Sequence, residues 1–108
     1  MAYDNPVAAL ADPTRRAIYE SLRGSARAVG QIASGFPVSR PAVSQHLRVL
    51  REAGLVVESR QGTRRLYAVN AAAALELRDY FQSMWECAMK AYTRHFTTQE
   101  KRHAKRHR

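Results

Sequence analysis

The stretch Ser39-Arg40-Pro41-Ala42-Val43-Ser44-Gln45-His46-Leu47-Arg48-Val49-Leu50-Arg51-Glu52-Ala53-Gly54 carries the signals of one complete helix. Ser39 has the hydroxyl that caps a helix start, proline is tolerated in a first turn, and Gly54 supplies a left-handed stop. The spacing predicts a helix over 40–53. Val43, Leu47, Leu50 and Gly54 share one face of it and anchor it to a core. Pro41, Ser44, Gln45, Arg48 and Glu52 share the other. That second face offers hydrogen-bonding side chains where a purely structural helix needs none.

Outward from this helix the punctuation is regular. Gly35-Phe36-Pro37-Val38 separates it from a shorter helix at 29–34. Asn5-Pro6 reads as N-cap and first position of a segment over 6–11, with Val7 and Leu10 apolar. Asp12-Pro13 repeats that signal and opens a helix to about residue 23, stopped by Gly24. Its inward stripe is Thr14, Ile18, Ser21 and Leu22, with Arg16, Glu20 and Arg23 opposite. Residues 25–28 leave room for a short strand.

Downstream, 55–60 and 63–69 are strand-like runs around Gln61-Gly62. With that pair as a two-residue turn, Arg60 faces Thr63 and Glu58 faces Arg65. A long amphipathic helix follows over 72–96. Leu77, Met84, Trp85, Ala88, Tyr92 and Phe96 lie within about 60° of Phe81 at about 100° per residue. The order is α-α-α-α-β-β-α.

Composition limits what this arrangement does. The chain has 108 residues and a formal net charge of +9, enough for one domain and one core. Fifteen of its 18 cations are arginine, whose planar fork suits phosphates and guanine edges. Residues 100–108 hold five cations and one acid, which leaves +5 on the body. The division read from this is a domain over 1–99 and a basic, disordered tail over 100–108.

The single cysteine, Cys87, excludes an internal disulfide framework and fits a reducing cytoplasm. It reads as an inert thiol buried near a seam between two copies of the chain. The opening residues are unlike a secretory signal, and no apolar run approaches the ~18 residues of a membrane span. Membrane partners are therefore not expected, and a polyphosphate partner is.

Helices in this order before a basic hairpin describe a mainly α fold with a β-hairpin wing, the winged helix-turn-helix. The pair 29–34 and 40–53 is the helix-turn-helix. A major groove admits one helix, and its outer face must read base edges. Gln45 suits adenine, Arg48 suits guanine or phosphate, and Ser44 suits either. On the hairpin, Arg60, Arg64 and Arg65 would reach phosphates or the minor groove.

The resemblance to a known family is carried by three blocks in order. They are Leu10-Ala11-Asp12-Pro13-Thr14-Arg15-Arg16-Ala17-Ile18, the run from Val43 to Val56, and Gly62-Thr63-Arg64-Arg65-Leu66-Tyr67. Together they resemble the ArsR/SmtB family of winged-helix repressors. The resemblance implies a homodimer on a partly palindromic operator of double-stranded DNA, with Arg40, Ser44, Gln45 and His46 at positions that meet DNA.

By its angle His46 also flanks the core side, so both placements stand for it. Ser39, Pro41 and Thr63 complete the DNA-binding set around Arg40, Ser44, Gln45, His46, Arg48, Arg60, Arg64 and Arg65. One departure is local: Pro37 stands in the turn where the family often has glycine.

The apolar band on the last helix is broader than one small core requires, which points to a partner chain. The expected dimer surface comprises Val7, Leu10, Leu77, Phe81, Met84, Trp85, Ala88, Met89 and Tyr92. Many relatives sense metals, but helix 29–34 has no cysteine. On the last helix Asp79 is followed two residues later by Phe81, and His95 three later by Thr98, so the usual carboxylate–imidazole pattern is missing. His103 and His107 have metal-ligand spacing among cations that oppose a metal ion.

No metal, no cofactor and no catalysis are expected. An effector ligand is compatible with the reading and is not identified by any residue. The rival to sequence-specific repression is an architectural or RNA-binding protein acting through charge alone.

Overall fold

The computed structural model describes residues 5–106, with side chains described through residue 97. Short helices α1 (Pro6–Ala9) and α2 (Pro13–Ser21) come first, followed by β1 (Arg27–Ala28) and α3 (Val29–Ala33). Helix α4 (Arg40–Glu52), strands β2 (Val56–Gln61) and β3 (Arg64–Val69), and α5 (Ala71–Arg106) complete the order. The short strand expected within 25–28 occupies Arg27–Ala28, and it makes the wing a three-stranded antiparallel sheet in the order β1-β3-β2.

The helices begin where local chemistry satisfies their orphan amides. Asn5 Oδ1 accepts from the Val7 amide at 2.9 Å, and Asp12 Oδ1 from that of Arg15 at 2.9 Å. Ser39 Oγ accepts from the Ala42 amide at 3.3 Å. Helix α4 ends in two bonds, Leu55 N–H to Leu50 C=O at 3.0 Å and Gly54 N–H to Arg51 C=O at 2.9 Å. These are the 6→1 and 5→2 bonds of a Schellman motif, which needs a left-handed residue at Gly54. Its φ is +79°.

Helices α1 and α2 stop two residues earlier than predicted, at Ala9 and Ser21, and α3 and α4 one residue earlier, at Ala33 and Glu52. At the end of α2 the Leu22 and Arg23 amides bond to Tyr19 and Glu20, tightening the last turn to i→i+3 spacing. The last helix runs longer, to Arg106 in place of residue 96, and carries helical backbone through most of the segment read as an unstructured tail.

The hairpin turn is Gly62-Thr63, one step beyond the predicted Gln61-Gly62. Gly62 has φ +66°, and no non-glycine residue among those described has positive φ. A glycine in the first central position followed by a residue of negative φ is the type II′ arrangement. A type I′ turn on Gln61-Gly62 would have forced Gln61 into the left-handed region.

The register follows from the turn. Glu58 lies opposite Tyr67 in place of Arg65, and Arg60 opposite Arg65 in place of Thr63. A shift of two residues leaves each side chain on its predicted face.

The core gathers Ile18, Leu22, Ile32, Val43, Leu47, Leu50 and Leu55, all almost fully buried. Phe36 and Val38, from the turn between α3 and α4, pack against it. That turn uses no left-handed residue, so Pro37 fits where the family often places glycine. Two compact units result, one ending at Leu77 and one beginning at Arg78. Ala73 and Leu77 of α5 pack on the core of the first.

Candidate nucleic-acid interface

The polar face of α4 is held outward by the burial of its opposite face. Val43, Leu47, Val49 and Leu50 are buried, which leaves Pro41, Ser44, Gln45 and Arg48 exposed along one side. Gln45 and Ser44 present free hydrogen-bonding groups one residue apart. Arg48 is partly engaged, since its Nε donates to Glu52 Oε1 at 3.2 Å. Ser39 accepts a hydrogen bond from Ala42 and keeps its own O–H to donate.

Wing and helix meet in a cleft. Arg40, at the first position of α4, lines a space of about 450 Å³ together with Thr63, Arg64 and Arg65 of the wing and residues 28–31. No carboxylate lines it. Arg40 and Arg64, which make no ion pair among the described residues, form with this cleft a site for anionic oxygen, while Arg65 is also paired with Glu58 at 3.5 Å. Gln31, which also lines it, accepts from the Ala28 amide at 3.0 Å.

Arg60 is placed elsewhere. It lines a second depression with Arg51, Val56, Val57, Glu58 and Ser59. Register puts Arg60 and Arg65 on one face of the hairpin and Arg64 on the other. Sequence reasoning missed Arg51 here. Its signal was a cation in the last turn of α4, where the helix dipole and a strand carboxylate both attract it.

His46 lies half-buried on the core side of α4, and its Nδ1 is out of solvent without a hydrogen-bond partner. The Asp12 carboxyl lies below its usual value, first because the Arg15 amide donates to it. Burial opposes the shift, while the charges of His46 and Arg15 reinforce it. His46 therefore stands at the rim where α4 meets the start of α2.

The second unit presents aromatic and thioether side chains. Phe81, Met84, Trp85, Met89 and Tyr92 are exposed, Trp85 by 64%, and Ala88 is exposed as well. Tyr92 and Phe96 pack as tilted rings with centroids 4.3 Å apart. In the first unit Val7 is exposed, whereas Leu10 and Leu77 are half-covered by the chain's own core. Cys87 is exposed in the single chain, on the same stretch of α5 as these aromatic side chains.

Among the described residues no group of three or more His, Cys, Asp or Glu could hold a metal ion. The side chain of His103 and the whole of His107 lie outside the described residues. Among the described residues no helix is long and apolar enough to cross a membrane.

Residues 10–59 match a family model described as a helix-turn-helix domain. The HTH-type transcriptional regulator Rv2034 of Mycobacterium tuberculosis is 49% identical over 84 residues, 78% of each chain. The chain belongs to the ArsR/SmtB family of winged helix-turn-helix transcriptional regulators.

The transcriptional repressor SdpR of Bacillus subtilis is 37% identical over 67 residues, covering 62% of this chain and 74% of SdpR. Among solved structures, the homodimeric winged helix-turn-helix DNA-binding domain of Mb0332 from Mycobacterium bovis, a possible ArsR-family regulator, superposes with a TM-score of 0.61. It is 31% identical and covers 72% of each chain.

Proposed function

We propose that the chain is a homodimeric repressor that reads a partly palindromic operator in double-stranded DNA. It would act in the cytoplasm, on the promoters its operator overlaps, its own included. The observation that carries this reading is the outward row of Ser44, Gln45 and Arg48 beside the cleft that Arg40 and Arg64 line. Arginines that hold phosphates fix the height and register of the helix, and amide and hydroxyl groups then read base edges in the major groove. His46 shapes the edge of this surface from its half-buried position.

Dimerisation supplies the second half-site. The exposed aromatic face of α5, from Phe81 to Tyr92, is more apolar surface than a monomer leaves in water. The homodimeric state of the Mb0332 domain supports the same assembly here. A two-fold axis would set two copies of α4 about 34 Å apart, one turn of B-DNA. A dimer seated so on a promoter blocks polymerase by occupancy, with no chemical step. The reading assigns no role to a metal or cofactor and names no effector.

Selection of bound duplexes from random DNA, at a stated salt concentration, tests this directly. The proposal expects a motif of two inverted half-sites whose centres lie about ten base pairs apart. Enrichment of no motif, with binding that depends on length and salt alone, would support the architectural alternative and reject this one.

A further inference from the structure

Glu58 is the only carboxylate on β2 or β3, two strands that carry Arg60, Arg64 and Arg65. Its side chain is only 16% exposed and lies between cations from two different elements. Arg51, from the last turn of α4, donates through Nη1 to Glu58 Oε2. Arg65, on β3, places Nε 3.5 Å from Oε1. Arg65 is the diagonal neighbour of Glu58 on the same hairpin face and stands directly opposite Arg60. Two cations directly opposite repel, and a half-buried carboxylate beside them offsets that repulsion.

On a surface that binds a polyanion, a carboxylate costs affinity, so its presence calls for a return. Resting on the DNA-binding reading above, we propose that Glu58 is a positioning residue that governs specificity. Its carboxylate ties the wing to the end of the recognition helix. It also restrains Arg51 and Arg65 from sequence-blind phosphate contact, while Arg40 and Arg64, which make no ion pair among the described residues, provide that contact. Charge then holds the duplex loosely enough for Ser44, Gln45 and Arg48 to decide where the protein stays.

The test uses the full chain, an operator duplex obtained by selection and a scrambled duplex of equal length, each titrated across a salt series. Glu58→Gln frees both arginines while keeping the shape of the side chain. The proposal expects scrambled DNA to bind several-fold tighter at low salt. The slope of log affinity against log salt should steepen by about one to two, and the operator-to-scrambled ratio should fall roughly tenfold.

A variant with a lowered melting temperature but unchanged slope and ratio would make Glu58 merely structural and overturn the proposal. Should Glu58→Gln fail to fold, Arg64→Gln and Arg65→Gln in the otherwise native chain decide the matter. The expected loss of slope for Arg65→Gln is less than half that for Arg64→Gln, because Glu58 already holds Arg65; equal losses overturn the idea. These slopes need no operator. Failure of selection to yield an operator would count against the repressor reading, and unchanged slopes against the role of Glu58.

Discussion

Asn70 donates from Nδ2 to the carbonyl oxygen of Gly54 at 3.0 Å, across 16 residues of chain. The same residue caps α5, its Oδ1 accepting from the Ala73 amide at 3.4 Å, and its own amide donates to the Leu55 carbonyl at 2.9 Å. One asparagine therefore fastens the left-handed exit of α4 to the start of the last helix. Asn70→Ala should cost about 1–2 kcal/mol, the loss of a cap and of a partner for a half-buried carbonyl. Urea unfolding at neutral pH checks it, and an unchanged midpoint would show that Asn70 merely occupies the junction.

Asp12 gives stability a defined dependence on pH. Its carboxyl is depressed, chiefly by the Arg15 amide, so the contribution is complete above the unfolded value near 4 and is lost as pH falls through the lower folded value. Asp12→Ala should cost about 1 kcal/mol at pH 7, the ordinary worth of an N-cap. The gap between native chain and variant should narrow below about pH 4. Denaturant midpoints at pH 7 and pH 3 test this, and a gap that stays constant would remove the charge from the explanation.

The α5 surface predicts an assembly. Trp85→Glu places a carboxylate in the exposed aromatic face without touching the core of the first unit. Sedimentation should show a dimer for the native chain at micromolar concentration and a folded monomer for the variant. Operator affinity should fall steeply while binding to a single half-site persists. A native chain that sediments as a monomer, or a variant that remains a dimer, would contradict the assignment.

Much of this architecture was legible because it is written in local chemistry. Asn5, Asp12 and Ser39 each cap the helix that their side-chain oxygens predict, and Gly54 closes α4 at the predicted residue. The polar row of α4 followed from periodicity alone. What periodicity could not supply was anything set by contacts distant in sequence.

The hairpin register turned on whether Gln61 or Gly62 carries the first positive φ, a choice that fixes Arg60 opposite Arg65. The Arg51–Glu58 pair joins a helix end to a strand seven residues later, and no spacing rule foretells it. His46 had an angle between the two faces of α4, and only the packed neighbour, α2, draws it to the rim. How far the core covers α5 was likewise set by packing, and that cover reaches Leu77.

The central claim is that the outer face of α4 reads sequence, and the affinity of Gln45→Ala for operator and scrambled duplexes tests it most directly. Gln45 is exposed and lies on no core contact, so the variant keeps the fold. The account predicts a loss of about 1–3 kcal/mol on the operator, little change on scrambled DNA, and an unaltered salt slope. Arg64→Ala, by contrast, should weaken both and lower the slope by about one. Equal losses for Gln45→Ala on the two duplexes would contradict the account.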